Sequence, residues 1–431
     1  MTKSLSLFSV HQQGARLRFI PACCGLLGIT LAYLVPVLAQ ATTLTIASYP
    51  NFDAAIRAAI PRYEQLHPDI HIRLVALSFY DHHHAMTSAL ATGAGLPDIM
   101  GLEQGFIGRF AHSGGLEVLS APPYNALQYQ PLLVPYTMAQ AQNEQGELMA
   151  MPADIGPGSL FYRQDLLAQA GVTLEEMTTS WENFIQSGIR LKQKSIYLVA
   201  NASDLKDIYI RIGLQPGEGL YFNQAGESLV RSERFVRAFT LAKQVRELGL
   251  DARLQIWSNE WAESIRRGHI ATQMMGAWFA GHLASWIAPE SKGLWRASQL
   301  PAHAYASWGG SFYAIPKAAA HKPEAWDFIR FMTLDTDMQL DAFKKLDAFP
   351  ALLSAQQTPH MAEPIAYLGQ QQARLIWKDA ADRMPSIIPH QHDAMAAEII
   401  RKQMDLVLEE NKDIATALKD AERQIKRKAR H

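Results

Sequence analysis

Apolar and polar residues alternate over Thr43–Ser48, around Leu44 and Ile46, and again over Ile70–Leu77, which predicts two strands. Between them Ile56, Ile60, Tyr63 and Leu66 recur at helical spacing, with Asp53 placed to cap the helix, Pro61 to break it and His67-Pro68 to end it. Further helices are predicted over Asp165–Ala170, from the capping-box residues Thr179-Ser180-Trp181-Glu182 onward to Lys194, on the stripe Phe235, Phe239, Ala242 and Val245, and on Ala325, Phe328, Ile329 and Met332. Strands are predicted over Ser195–Ala200, Ala271–Gly276 and Phe312–Ile315. Such alternation predicts an α/β chain. The last stretch, Asp393–Lys428, reads as a solvated, charged closing helix whose basic C-terminal end suits the helix dipole.

The N-terminal pattern is of another kind. Arg16 and Arg18 precede an uncharged apolar run to Leu38, and Ala39-Gln40-Ala41 follows, the order of an export signal (1–41) cleaved after Ala41. The run also approaches the roughly 20 residues that span a bilayer, so a retained membrane anchor is the alternative. Pro21, Pro36 and the small-residue ending favour cleavage, and Cys23 and Cys24, at the start of the run, make a poor lipid-attachment site. These are the only two cysteines, so the exported part holds neither a disulfide nor a thiolate and depends on buried apolar area. Its length, roughly 390 residues, suffices for two cores. Removing Lys3, Arg16 and Arg18 from the 40 basic residues leaves 37 against 41 acidic ones, a formal charge of −4 that gives nucleic acid no reason to bind.

No serine-nucleophile elbow, zinc-protease helix, phosphate loop or Cys-x-x-Cys occurs, and the dispersed carboxylates single out no acid–base pair. Asp81-His82-His83-His84 has metal-ligand chemistry, but neighbouring side chains diverge, and the run reads as a solvated loop or helix start; no metal and no cofactor is expected. Trp257, Trp261, Trp278, Trp286, Trp295 and Trp308 crowd one third of the chain. Flat apolar rings suit the C–H faces of a sugar, although any single tryptophan can equally be core.

Six segments, in order, resemble the extracellular solute-binding proteins of ABC importers, the family that includes maltose-binding and glycerol-phosphate-binding proteins. They are Tyr63–Pro68 with the strand after it; Ala91–Met100 leading to Gly114–Leu119; Gly146–Pro152 with Leu160–Leu167; Thr179–Phe184; Gly268–Trp278; and Trp308–Pro316. Thr272, where the family has Met, and Phe161-Tyr162-Arg163-Gln164, where it has Tyr-Tyr-Asn-Lys, leave the ligand open. The resemblance implies a two-lobed periplasmic-binding-protein fold of class II type, with an N-terminal lobe of 42–152 plus 313–347 and a C-terminal lobe of 153–312 plus 348–431. Hinge crossings are implied near 153, 310 and 348, with a solute held between the lobes.

It further implies a monomer in the periplasm that hands an unmodified sugar, an oligosaccharide or glycoside, to permease subunits. The same fold holding a polyamine, a phosphate ester or ferric iron, the last on Tyr162, Tyr221 and Tyr313, is the second reading, and an exported hydrolase the third. The ligand-contact residues it implies are Trp278 as a stacking ring, Gly309, Gly310 and Ser311 at a crossing, and Asp154 as an acceptor. Tyr49, Phe52, Tyr80, Asp81 and Glu103 follow first-lobe strands, where doubly wound sheets hold ligands.

Overall fold

The computed structural model describes residues 41–430; the export segment, with Cys23 and Cys24, lies outside them. β1 (Thr42–Ser48), α1 (Phe52–Leu66), β2 (Ile70–Ala76), α2 (Phe79–Thr92), β3 (Ile99–Glu103) and α3 (Gln104–Ala111) follow one another as strand–helix units, with β1 parallel to both β2 and β3. Parallel neighbours need such crossovers, and every crossover delivers the next loop to the same end of the sheet.

The 13-residue β4 (Met151–Arg163) joins the two halves of the molecule. Its first half pairs with β7 (Ser307–Ala314) and β8 (Phe349–Pro350), and its second half with β5 (Thr272–Gly276) and β6 (Trp295–Ser298). The strand order β2-β1-β3-β7-β4-β5 is therefore continuous, with β6 and β8 hung on β4. Register shifts between Pro152 and Asp154 and between Ile155 and Pro157 bend β4 where it passes from one half to the other. Among the described residues the apolar side chains form three clusters. The largest surrounds Leu44, Ile46, Phe312 and Tyr313; a second lies around Leu160, Phe184 and Leu198; a third lies around Phe235, Phe239, Ile400 and Leu418.

Several elements differ from the sequence reading. α1 runs through Pro61, because Pro61 and Arg57, whose carbonyl the proline leaves unpaired, are both exposed and water can serve that carbonyl. Its N-cap position is Asn51; Asp53 sits in the first turn and holds Arg57 at 3.1 Å. Thr179 and Glu182 do not form the capping box: Ser180 caps the helix Trp181–Lys192 by accepting from the Asn183 N–H at 3.0 Å. Ser195–Ala200 is not a strand: Ser195 turns at φ 61°, and only isolated bridges follow, Tyr197 with Ile270 and Val199 with Asp251.

The closing segment is two helices, Asp393–Glu409 and Ile414–Lys428, turned at Asn411 in the left-handed region. They are not a solvated tail, since Ile399, Ile400, Met404, Leu418 and Ile425 are buried against the helix Glu233–Glu247. Arg246 ties that helix to the pair through Glu409 and is itself held by Asp251, just past the end of its own helix, at 2.8 Å. No helix among the described residues is long and apolar enough to cross a membrane.

Candidate functional site

The carboxyl end of β3 is the first anchor. Glu103 closes β3 and caps α3, accepting from the Gly105 N–H at 2.7 Å. Its own N–H donates to His83 Nε2 at 3.1 Å, so that ring is neutral, with Nδ1–H donating to the Phe79 carbonyl at 2.7 Å. His82 Nε2 donates to the Gly101 carbonyl at 2.7 Å. The pair His82-His83, read from sequence as solvated, is buried at the start of α2 and fixes that helix to the end of β3. Burial holds His83 down at about 3. Among the described residues no three His, Cys, Asp or Glu side chains are grouped to hold a metal ion.

Gln104 reaches from α3 to β7: its Nε2 donates to Ser307 Oγ at 2.8 Å and its Oε1 accepts from the Gly309 N–H at 3.0 Å. Gly309 has φ 81°, and a Cβ there would lie 3.1 Å from Trp278 Nε1 and 3.8 Å from Glu103 Oε1. Glycine thus keeps a gap between the end of β3 and the tryptophan after β5. Gly310, at φ 137°, lies over the Asp154 backbone. Desolvation pushes Glu103 up to about 7, although Arg211 opposes the rise, and pushes Asp154 up to about 6 against hydrogen bonds from Ser311. The hydroxyls of Tyr49, Tyr136 and Tyr313 are buried, and the Asp154 charge acts on all three.

The tryptophans separate by environment. Trp261 and Trp295 are core. Trp278 is half-buried, its indole N–H donating to the Trp308 carbonyl at 3.0 Å. Trp257 lies over it, with centroids 6.0 Å apart and planes at 23°, and Trp286 stacks with Trp257 at 6.3 Å and 27°. Trp257 and Trp286 are 44% and 48% exposed, unusual for indoles and suited to a platform. His282 binds this platform to α1: the Trp286 N–H donates to its Nδ1 at 3.1 Å, which makes the ring neutral, and its Nε2 faces the Asn51 amide at 3.1 Å. Burial lowers His282 to about 4.

On the other side of Trp308 lies a chamber of about 110 Å³, lined by Glu103, Gln104, Gly309, Gln140, Arg211 and Asp393 among others. The Arg211 guanidinium sits 4.6 Å over the Trp308 ring. A cleft of about 730 Å³ shares Pro389 with the chamber and runs between the segments 139–146 and 214–226.

Of the residues singled out from sequence, the structure brings Trp278, Gly309 and Glu103 together, with Asp154, Gly310 and Ser311 on the adjoining strand pair. Tyr49 and Phe52 are packed inside, 5% and 6% exposed, stacked on each other at 5.4 Å beneath the first half of the sheet. Tyr80 is exposed, and Asp81 is taken up at the N-terminus of α2 by the Ser78 hydroxyl at 2.6 Å. The proposed iron ligands disperse, Tyr313, Tyr162 and Tyr221 lying in three different apolar clusters. Sequence reasoning missed Asn51, Gln104, Gln140, Arg211 and Asp393. Only Gln104 carried a signal, its place directly after a strand end.

Two α/β halves crossed by one long strand, with a polar and aromatic cleft where they meet, define a two-lobed solute-binding protein. The family model described as bacterial extracellular solute-binding protein matches residues 58–368, and the chain belongs to that family, whose members serve ABC transporters. It is 29% identical over 359 residues to the lactose-binding protein of Rhizobium radiobacter, 77% of this chain and 79% of the relative. It is 20% identical over 390 residues to the arabinooligosaccharide-binding protein of Bacillus subtilis strain 168, 86% and 88% of the two chains. Among solved structures, an extracellular solute-binding protein of family 1 superposes with a TM-score of 0.78 at 22% identity, covering 90% of this chain and 99% of that one. The binding protein of B. animalis subsp. lactis Bl-04 in complex with beta-1,6-galactobiose does so at 0.75 and 19%, covering 89% and 96%.

Proposed function

We propose that this chain captures a carbohydrate, an oligosaccharide or glycoside, outside the cytoplasm and delivers it unchanged to the permease subunits of an ABC importer. The observation that carries the reading is the exposed Trp257–Trp286 platform, stacked on Trp278 and bordered through Gly309 by the polar groups of Glu103 and Gln104. Aromatic faces with convergent hydrogen-bonding groups match the two surfaces of a sugar ring. Relatives named for lactose and arabinooligosaccharides support it.

In this reading Trp257, Trp278 and Trp286 stack on the sugar while Glu103, Gln104 and the Gly309–Ser311 strand bond its hydroxyls. Asp154 serves from the crossing, and Tyr80 and Asp81 lie at the rim; Tyr49 and Phe52 support the floor without touching solute. The lobes are 42–152 plus 313–347 and 153–312 plus 348–431, the protein acts as a monomer, and its signal is removed after Ala41. Solute bound to both lobes favours the closed form by its difference in affinity for the two forms, which the permease reads.

A thermal-shift and calorimetric panel of lactose, galactobiose, arabino-oligosaccharides and maltose tests this. At 100 times its dissociation constant a bound sugar adds about 2.7 kcal/mol. Trp257→Ala is expected to weaken the best sugar more than tenfold while the unliganded melting temperature stays within about 2 °C, because the ring is exposed. If no saccharide stabilises the protein, or if a sugar is consumed on incubation, the reading is wrong.

A further inference from the structure

Three imidazoles meet where α3 abuts the segment that leads into the closing helices. His112, at the C-terminal end of α3, faces His390 with ring centroids 6.4 Å apart, and His390 faces His392 at 5.3 Å. The seam is tight, since a Cβ on Gly108 of α3 would collide with the His390 carbonyl. His390 also stacks on Phe222, with centroids 4.0 Å apart and planes at 23°. Its Nδ1 accepts the His392 N–H at 3.2 Å, so the ring is neutral, with its proton on Nε2. The His112 Nδ1–H donates to the Gly108 carbonyl at 2.7 Å. All three rings are partly exposed, so protons reach them from solvent.

The charges facing the cluster are mostly of one sign. Arg109, also on α3, acts on His392, and His112 acts on both other rings. From the segment 139–146, Glu144 acts on His390 in the opposite sense. Glu218 and Glu227, on the loop that carries Phe222, are engaged by Arg234 and by Asn223. Asp393 uses a carboxylate oxygen for the His390 backbone N–H at 2.8 Å and leaves the ring alone. Burial, then His392 and His112, hold His390 down at about 4. Parted from α3, that ring regains water and loses His112, and so returns toward the ordinary value of about 6.5.

We propose that His112, His390 and His392 form a proton-sensitive latch: neutral, they let α3 seat against the segment 385–392, and charged, they drive the two apart, so that acid outside the cell opposes closure on a solute. This rests on the proposed closure around a sugar and adds its regulation. The seated form excludes the proton that the parted form accepts, so the two events oppose each other. Glu103 and Asp393 work in the other direction, because burial raises each to about 7 and a group that takes up a proton on burial favours closure in acid. The effect of the histidines is therefore read as a difference between proteins with and without the ring.

His390→Asn keeps an acceptor for the His392 N–H and removes the titrating ring; His112→Asn keeps a donor for the Gly108 carbonyl. The probe is whichever of lactose, β-1,6-galactobiose and arabinotriose binds the unaltered protein best at neutral pH. Between about pH 7.5 and about pH 5.5 the affinity of the unaltered protein is expected to fall about tenfold relative to that of His390→Asn. Calorimetry at the acid end, in buffers of different ionisation heat, should show the unaltered protein releasing about one more proton on binding than the variant. A relative affinity constant within twofold, or equal proton release, would overturn the latch and leave the carbohydrate reading standing. Should one variant not fold, the other carries the comparison. If none of the three sugars binds, the carbohydrate reading falls and scattering decides the latch: the unliganded protein should expand on acidification more than His390→Asn does, and equal radii would overturn it.

Discussion

At the residue scale, neighbours of equal sequence signal separate by environment. Trp278 was singled out through its place after a Gly-x-x-Ala segment and a strand, but its N–H is committed to Trp308, and the exposed rings are Trp286 and Trp257, the latter at a φ of 70° that no periodicity announces. Glu103 was legible as the end of a strand; its raised titration was not, because that comes from burial in the folded molecule, which Asp154 reinforces and the Gly105 N–H and Arg211 oppose. Its folded value of about 7 lies above the ordinary carboxylate range, so the folded protein binds this proton more tightly than the unfolded chain. The resulting stability is fully present below about pH 4 and is lost as pH rises toward 7. Glu103→Gln is therefore expected to raise the unliganded melting temperature at pH 8 by about 1–2 °C, a figure reduced for partial exposure, and to lose that advantage by pH 5. Melting curves of both proteins across this range check it, and an advantage that grows toward acid would contradict the assignment.

At the element scale, β1, α1 and β2 were legible because each buries one face, so the periods of two and 3.6 survive in the sequence. Where the reading failed, tertiary contacts outweighed the local pattern. Pro61 is tolerated because its side of α1 is wet, and His82 and His83 are buried because α2 docks on β3. The closing pair of helices looked solvated because charge dominates its composition, yet Leu418 is 1% exposed in the third cluster. Leu418→Ala is expected to destabilise the protein by about 2–4 kcal/mol, read from denaturant melts, with affinity for a bound sugar changed less than threefold. A loss below about 0.5 kcal/mol would restore the picture of a solvated tail.

At the scale of the whole molecule, the ordered segments made the two-lobed architecture legible, while the contacts that close the cleft were invisible. Asn51 with His282, Gln104 with Gly309 and Gly108 with His390 each pair residues more than 200 positions apart, and no local pattern specifies them. Gly108 on α3 meets the His390 backbone so closely that a Cβ would lie 2.9 Å from its nitrogen and collide with its carbonyl. Gly108→Val is expected to hold the two segments apart, enlarging the scattering radius and weakening sugar binding at least tenfold; unchanged scattering with unchanged affinity would show that this contact is not part of closure.

The 13-residue β4 carries a last consequence. Because both halves of the sheet take their register from it, inserting one residue would turn every later side chain to the opposite face and scramble two cores at once. The platform tryptophans lie outside the strands, on stretches whose exchange disturbs no ladder. Such a scaffold can diversify its diet by drift at the rim while its spine stays unedited, which gives lineages a route to new nutrients without refounding the fold.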